Sequence, residues 1–262
     1  MIDTHCHLTF PEYADRVGEV LAAARAAGVR GAITISTTTA DAARTVALAR
    51  LHDGLWASAG VHPLYADEPA DWEAMRELGL DPKCVAWGEL GLDRHYAEPA
   101  QPVQLARLEE QLAHLARWRR EDPRLDKPVV VHCREAFAEL IPILRASRLP
   151  PERFVFHCFT AGSAEMRALL DFGAHVSFTG VVTFRNARDT REAVLLPPLD
   201  RILVETDSPF LTPEPHRTVR PNEPRFVTHV ADAIADLRGE PRSEVWAATF
   251  ANAQKFFGIE AP

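Results

Sequence analysis

The chain has 262 residues, of which 47% are hydrophobic and 25% are charged. This is an ordinary globular composition, which excludes disorder, collagen-like repeats and a bare coiled coil. Lys and Arg number 29 against 37 Asp and Glu, so the net charge is −8. We therefore expect neither a broad basic face that coats nucleic acid nor a polybasic patch that binds anionic lipid.

The sequence carries no feature that points to a membrane or to export. No apolar run reaches the roughly 18 residues of a transmembrane helix, and the opening MIDTHCHLTF has no basic or apolar signal region. The four cysteines, without a C-x-x-C pair, are Cys6, Cys84, Cys133 and Cys158. Scattered cysteines are typical of reduced thiols. We expect a cytoplasmic protein with no obligate protein partner.

Short β-rich runs alternate with longer helical patterns along the chain. Strands are predicted at residues 1–5, 31–36, 56–61, 84–89, 128–132, 154–157, 175–178 and 201–206. Helical runs such as DAARTVALARLH and REAFAELIPILRA lie between them. Eight such units without a linker predict an α/β fold in one domain over residues 1–262, a closed (β/α)8 TIM barrel, with a doubly wound open sheet as the alternative.

Side chains that can bind metals stand at the carboxyl ends of five predicted strands: His5, His7, Glu89, His132, His157 and Asp207. Barrel active sites form at this rim. Each of these residues alone could be an ordinary buried polar group, but six unpaired ones would be expensive to bury. Two divalent ions would satisfy all six.

Strand alternation separates the histidines from the neighbouring cysteines. His5 and His7 are two residues apart, so both project to the same side of their strand. By the same alternation Cys6, Cys133 and Cys158 each point away from the metal-binding side. We therefore predict that the cysteines pack against helices and do not act as zinc thiolates.

Six motifs follow one another in the order found in the TatD family of metal-dependent hydrolases. They are DTHCH (3–7), GVHP (60–63), GELGLD (88–93), PVVVHCREA (128–136), HCF (157–159) and ETDSPFLTP (205–213). From residue 3 to the C-terminal helix, the chain resembles this family of amidohydrolase-like metallo-barrels. Its studied members are Mg- or Mn-dependent deoxyribonucleases, often 3′→5′ exonucleases.

The resemblance implies two divalent ions. The residues that match ligands of the first ion are His5, His7, Glu89 and Asp207. Those that match ligands of the second are His132 and His157, with Glu89 as the bridge. Four imidazoles favour Zn, Mn, Co or Ni over Mg, whereas the family favours Mg or Mn, so Mg, Mn and Zn all stay open.

Further roles follow from position around this predicted centre. Asp207 and Glu89 are the predicted catalytic residues, with Asp207 orienting a water and accepting its proton. Glu205, two residues before Asp207, would orient a metal ligand without itself binding the metal. His62 and Arg134 are candidate contacts to a phosphate or leaving group, although Arg134 could instead form a salt bridge at a helix start.

The chain departs from the family pattern at a few positions. HCFTAGS has one extra residue after His157, Phe210 stands where Tyr is common, and Pro221 interrupts the segment after Arg220. Arg220 is therefore in doubt as a phosphate contact. The charged segment 118–127 predicts a longer helix end.

We expect a hydrolase that uses a two-metal-activated water to cleave phosphodiester bonds at DNA ends or in single-stranded DNA, as a 3′→5′ exodeoxyribonuclease. Two other interpretations stay open. The same metal site could act on a small phosphoester, or on an ester or amide such as an aminoacyl bond. The barrel could also be a metal-stabilised scaffold without catalysis.

Overall fold

The computed structural model of the chain describes residues 1–261. Within them, eight parallel strands pair in sequence order. They are β1 (Ile2–Cys6), β2 (Gly31–Thr34), β3 (Leu55–Ala59), β4 (Cys84–Asp93), β5 (Val129–Arg134), β6 (Phe154–Phe156), β7 (His175–Phe178) and β8 (Ile202–Val204). The order excludes the doubly wound alternative, in which the strand order reverses partway across the sheet.

Backbone contacts between the first strand and the segment after the last one close the sheet. Asp207 N donates to the His5 carbonyl at 2.9 Å, and His7 N donates to the Ser208 carbonyl at 2.8 Å. Cys6 and Ser208 form a parallel bridge. The eight strands therefore form a nearly closed barrel, which confirms the predicted TIM barrel.

Helices follow the strands around the outside. The described residues contain α1 (Val17–Ala26), α2 (Thr39–Leu51), α3 (Trp72–Gly79), α4 (Gln101–Glu121), α5 (Phe137–Ala146), α6 (Ser163–Phe172), α7 (Arg188–Ala193), α8 (Val227–Arg238) and α9 (Arg242–Phe257). Each helix in residues 1–261 is too short or too polar to cross a bilayer.

The largest error among the predicted strand boundaries concerns β4. Strand β4 does not stop at residue 89 but continues to Asp93, because Gly91 and Asp93 still pair with β5. Helix α4 ends at Glu121, within the segment 118–127 that predicts a longer helix end. Pro123 explains why the helix goes no further, since proline disfavours helical geometry in the residue before it.

An apolar layer fills the amino end of the barrel. Apolar residues from most strands pack there against α9 and against Ile259 just beyond it. The cluster includes Ile2, Ile33, Val130, Val155, Leu203, Phe256, Phe257 and Ile259. Because alternate strand residues share a face, Val130 and His132 point to the same side of β5. The amino end is thus closed by hydrocarbon, and polar side chains collect towards the carboxyl end.

The long segment 205–223 after β8 is fastened beside β1. Tyr13 Oη donates to the Asn222 carbonyl at 2.5 Å, and Asn222 Nδ2 donates to the Thr206 carbonyl at 3.0 Å. The buried carboxylate of Asp3 accepts hydrogen bonds from Thr206 N at 2.8 Å and Thr206 Oγ1 at 2.5 Å. These bonds fix the backbone on which Asp207 stands.

Candidate metal centre

All six metal-binding side chains predicted from the sequence meet at the carboxyl end of the barrel. Those that line a cavity of about 550 Å³ there are His7, Glu89, His132, His157 and Asp207. His5 lies just beneath, fully buried. The distances between their ligand atoms divide the six residues into two groups that share Glu89.

The first group joins β1 to the segment after β8. His5 Nε2 lies 3.2 Å from His7 Nε2. Asp207 Oδ1 lies 3.6 Å from His5 Nε2 and 3.5 Å from His7 Nε2. Glu89 Oε2 lies 3.4 Å from His5 Nε2. His7 Nδ1 is 3.1 Å from the Ile35 carbonyl, which can only accept, so the Nε2 lone pair of His7 faces the group.

The second group gathers on the other oxygen of the same carboxylate. Glu89 Oε1 lies 2.6 Å from His157 Nε2 and 2.7 Å from His132 Nδ1. The two imidazole nitrogens are 3.3 Å apart. Glu89 therefore stands between the groups with one oxygen towards each.

The imidazole spacing of the first group suits a divalent ion. Ligand atoms about 2.1 Å from a shared ion stand roughly 3.0 Å apart in octahedral and 3.4 Å apart in tetrahedral coordination. The 3.2 Å between His5 Nε2 and His7 Nε2 falls within this range. Two imidazole nitrogens and a carboxylate oxygen lie within 3.6 Å of one another, and the His7 lone pair faces them, so this donor set fits a metal.

Carboxylates behind His132 and His157 fix which nitrogen of each ring carries the proton. His132 Nε2 lies 2.9 Å from Asp93 Oδ2, and His157 Nδ1 lies 3.3 Å from Glu205 Oε1. A carboxylate accepts the N–H, so the opposite nitrogen of each ring offers its lone pair to the second group. Burial works to raise the pKa of Asp93, but the His132 hydrogen bond and backbone donors lower it to about 2.

In His62 the ring nitrogen that faces the centre carries the proton, the reverse of His132 and His157. Its Nε2 lies 3.4 Å from Glu89 Oε1 and 3.2 Å from His132 Nδ1, so distance alone would admit it as a ligand. Its Nδ1, however, accepts a hydrogen bond from Leu64 N at 3.0 Å. The neutral ring must therefore carry its proton on Nε2, which makes His62 a hydrogen-bond donor towards the cavity.

The carboxylates of the centre are held ionised. Burial works to raise the pKa of Glu89, but the surrounding imidazoles, His157 first, outweigh it and hold that pKa well below its ordinary value. Burial also opposes ionisation of Asp207, and the hydrogen bond with His7 lowers the Asp207 pKa nevertheless. Ionised oxygens beside imidazole lone pairs make this end of the barrel selective for cations.

Arg134 lines the cavity, with its guanidinium carbon 5.3 Å from the centre of the Tyr96 ring. The salt bridge considered for Arg134 is not formed within the described part of the chain, where Glu135 pairs with His95 at 3.0 Å. Arg220 has a different place. Its Nη1 donates to Thr212 Oγ1 at 2.8 Å, so it stiffens segment 205–223 and does not line the cavity.

The cysteines were predicted to pack against helices, away from the metal-binding side. Cys6 is buried and faces the Ile33 carbonyl at 3.3 Å. Cys133 packs against the apolar core and also borders the cavity, whereas Cys158 lines the cavity. Strand alternation does not govern Cys158, because β6 has already ended and its φ is 45°. Neither thiol belongs to a candidate ligand group among residues 1–261.

Sequence reasoning missed the role of Asp93. The residue is the last of the GELGLD motif and was placed beyond the end of β4. Residues 89, 91 and 93 share one side of a continuous strand, so extending β4 by four residues would have brought Asp93 to the same mouth as Glu89.

A parallel barrel with histidines and carboxylates converging at its carboxyl mouth is the architecture of metal-dependent hydrolases. The family model described as TatD related DNase matches residues 2–258, and the chain belongs to the TatD family. It is 39% identical over 264 residues to the uncharacterized metal-dependent hydrolase YcfH of Escherichia coli K12, covering 100% of this chain and 97% of that protein.

Two further relatives extend the comparison. The chain is 36% identical over 271 residues to the 3'-5' ssDNA/RNA exonuclease TatD of Erwinia amylovora, covering 99% of this chain and 100% of that protein. The crystal structure of YJJV, a TatD homologue from Escherichia coli K12, superposes with a TM-score of 0.88 at 29% identity. That match covers 99% of this chain and 98% of the other.

Proposed function

We propose that this hydrolase removes nucleotides from the 3′ end of single-stranded DNA, with two divalent ions held in the two groups that share Glu89. The observation that carries the proposal is the position of Glu89, whose two oxygens lie 3.4 Å and 2.6 Å from imidazoles of different groups. Support for the substrate comes from the Erwinia amylovora relative, which is named a 3'-5' ssDNA/RNA exonuclease.

The two groups offer nitrogen and carboxylate oxygen, a donor set compatible with Mg, Mn or Zn. His5, His7 and Asp207 would hold one ion, His132 and His157 the other. Two ions held there would lower the pKa of a shared water towards neutrality and stabilise charge on a phosphoryl group.

Asp207 is suited to move the proton. Its side chain is 15% exposed, against 2% for Glu89, so it is the ligand carboxylate that cavity water reaches. One oxygen faces His5 and His7, and a carboxylate so placed can turn its second oxygen to a nucleophilic water. Asp207 would orient this water and accept its proton in the transition state.

His62 and Arg134 are suited to bind the substrate phosphate. The Nε2–H of His62 is fixed in direction by the Leu64 amide behind it. Arg134 presents a guanidinium at the cavity without a carboxylate partner in the described part of the chain. Donors aimed in advance at an anion stabilise charge that develops during reaction.

Local charge explains how a protein of net charge −8 can attract DNA. Two divalent ions would bring a charge of +4 and Arg134 brings +1, against −3 from Glu89, Asp93 and Asp207, which line the same cavity, so the mouth would carry about +2. A phosphodiester end fits such a mouth without a basic groove. Cleavage should therefore weaken only mildly as salt rises, unlike binding that depends on six or more phosphate contacts.

The test combines metal content with degradation assays on the chelated and the re-metallated protein. We expect two ions per chain, no cleavage after chelation, and recovery with Mg, Mn or Zn. Single-stranded DNA labelled at the 5′ end should shorten in single-nucleotide steps. A small-phosphoester panel and an aminoacyl-ester panel run in parallel. Faster metal-dependent turnover of either panel than of DNA would overturn the proposed substrate.

A further inference from the structure

Two exposed aromatic side chains flank the metal centre. Large apolar side chains that reach the solvent in the described part of the chain are Leu51, Tyr96, Val103, Leu195 and Phe210. The two aromatic members, Tyr96 and Phe210, are each 50% exposed, and both line the cavity over the metal-binding residues. Apolar side chains concentrated at one concave site mark a surface that binds a ligand.

The two rings stand on opposite sides of the mouth. Tyr96 lies in the segment after β4, and Phe210 lies in the segment after β8. In a barrel whose eight strands pair in sequence order, β4 and β8 face each other across the axis. The metal-binding residues lie between them. A phosphate at the metal centre therefore has one ring on either side.

Each ring is held in place by its neighbours. The Arg134 guanidinium carbon lies over the Tyr96 ring, 5.3 Å from its centre, and holds one face of that ring. Phe210 meets Phe10 edge to face at 6.3 Å, and Phe210 N donates to the Asp207 carbonyl at 3.0 Å. Phe210 is thus tied directly to a residue of the metal centre.

We propose that Tyr96 and Phe210 are stacking platforms for two successive unpaired nucleobases, one on each side of the phosphate at the metal centre. This inference rests on the proposed function and names what that site recognises. The chain has no excess of basic residues to track a phosphate backbone, so base stacking must supply much of the binding. Aromatic stacking serves any base sequence, because every base has a π face.

The proposal requires a single-stranded terminus. Two bases that each lie against a protein ring cannot stay paired in a duplex. Phe210 has no hydroxyl with which to donate a hydrogen bond, so contact through the ring face is what it can offer a base. The shortest substrate bound well should therefore carry two bases, one for each ring.

The test measures stacking separately from cleavage. Metal-loaded protein is titrated with a short single-stranded DNA whose terminal linkages are phosphorothioates, and which carries the fluorescent base 2-aminopurine at its last or second-last position. Stacking on an aromatic ring quenches this fluorescence. We expect Tyr96→Ala and Phe210→Ala each to weaken binding by roughly 5- to 150-fold, the range of stacking on one base. Tyr96→Phe and Phe210→Tyr should stay near wild type.

Oligonucleotides with an abasic site separate stacking from a structural effect. When the terminal base is removed, one of the two alanine substitutions should no longer weaken binding, while the other still should. When the second-last base is removed instead, the two substitutions should exchange these effects. The matched control is Leu51→Ala, which truncates an exposed side chain at the end of α2, outside the cavity. Equal losses with intact and abasic DNA, or no quenching by wild type, would overturn the proposal.

Cleavage of ordinary DNA, measured beside binding, tells the two proposals apart. If DNA is cleaved and the two alanine substitutions have no effect, the stacking proposal is wrong and the nuclease proposal stands. If quenching depends on both rings but DNA is not cleaved, the stacking proposal stands and the nuclease proposal is wrong.

Discussion

Buried or half-buried histidines occur at both ends of the barrel, in opposite surroundings. At the carboxyl end, His132 and His157 each have a carboxylate behind the ring and Glu89 in front of it. At the amino end of β7, His175 packs on the Phe256 ring at 4.6 Å between ring centres. Its Nδ1 is buried and has no hydrogen-bond partner among residues 1–261.

The difference shows how position on one scaffold sets the use of a side chain. Grouped imidazoles with carboxylates bind cations, whereas a solitary imidazole against hydrocarbon stays neutral. Burial, followed by the charge of Arg201, lowers the pKa of His175 to about 4. Changes at the carboxyl end should therefore remove activity, and changes at the amino end should alter stability.

The largest effect is expected for Asp207→Ala. Losing the proton acceptor should lower kcat by roughly 100- to 10,000-fold, a typical contribution of general base catalysis. Thermal unfolding should change little, because Asp207 faces the cavity. The matched control is Asp171→Ala on the exposed side of α6. Steady-state hydrolysis and melting curves of both variants check this. Turnover that survives in Asp207→Ala would remove Asp207 from the mechanism.

A smaller effect is expected for Asp93→Asn. Asp93 Oδ1 accepts hydrogen bonds from His95 N and Tyr96 N, so in this variant the oxygen stays with those donors and the amide nitrogen, which cannot accept, faces the His132 Nε2–H. Turning that ring's proton to Nδ1 would block the lone pair that faces Glu89. Loss of such a supporting carboxylate weakens metal binding by roughly 10- to 100-fold. Competition with a chromogenic chelator measures the change. Asp171→Asn, on the exposed side of α6, is the control. Equal affinity in the two variants would contradict the tautomer assignment.

The smallest effect belongs to the amino end. The folded pKa of His175 is about 4 against an ordinary value of 6.5, so this group's stabilisation is complete above pH 6.5 and is lost as the pH falls to about 4. His175→Phe should raise the free energy of unfolding at acid pH by about 1–2 kcal/mol, because the variant has no group to protonate there. This figure is reduced to allow for the partial exposure of His175. Denaturant unfolding at pH 4.5 and 7.5 tests it, and hydrolysis at pH 7.5 should match wild type. Parallel pH profiles for variant and wild type would contradict it.

Much of the fold and of the metal centre could be predicted because both depend on strand periodicity. Alternating β-rich and helical runs predict the barrel, and its carboxyl rim places His5, His7, His132 and His157 together. Their convergence needed no information beyond which strand ends at which residue.

The features that were missed depend on contacts between distant segments or on irregular backbone. The length of β4 depends on pairing of Gly91 with β5, and two glycines in GELGLD mask a continuing strand. The proton position on His62 depends on the Leu64 amide in a loop. The orientation of Cys158 depends on a left-handed residue. Hydrophobic periodicity predicts none of these three features.

The closure of the barrel has a consequence for protein synthesis. His5 and His7 leave the ribosome about two hundred residues before Asp207 and its Ser208 neighbour. Because β1 is completed by contacts with this late segment, a nascent or truncated chain that ends before it would hold His5 and His7 without the carboxylate of Asp207. Hydrolysis at this centre would thus have to wait until segment 205–223 has been synthesised.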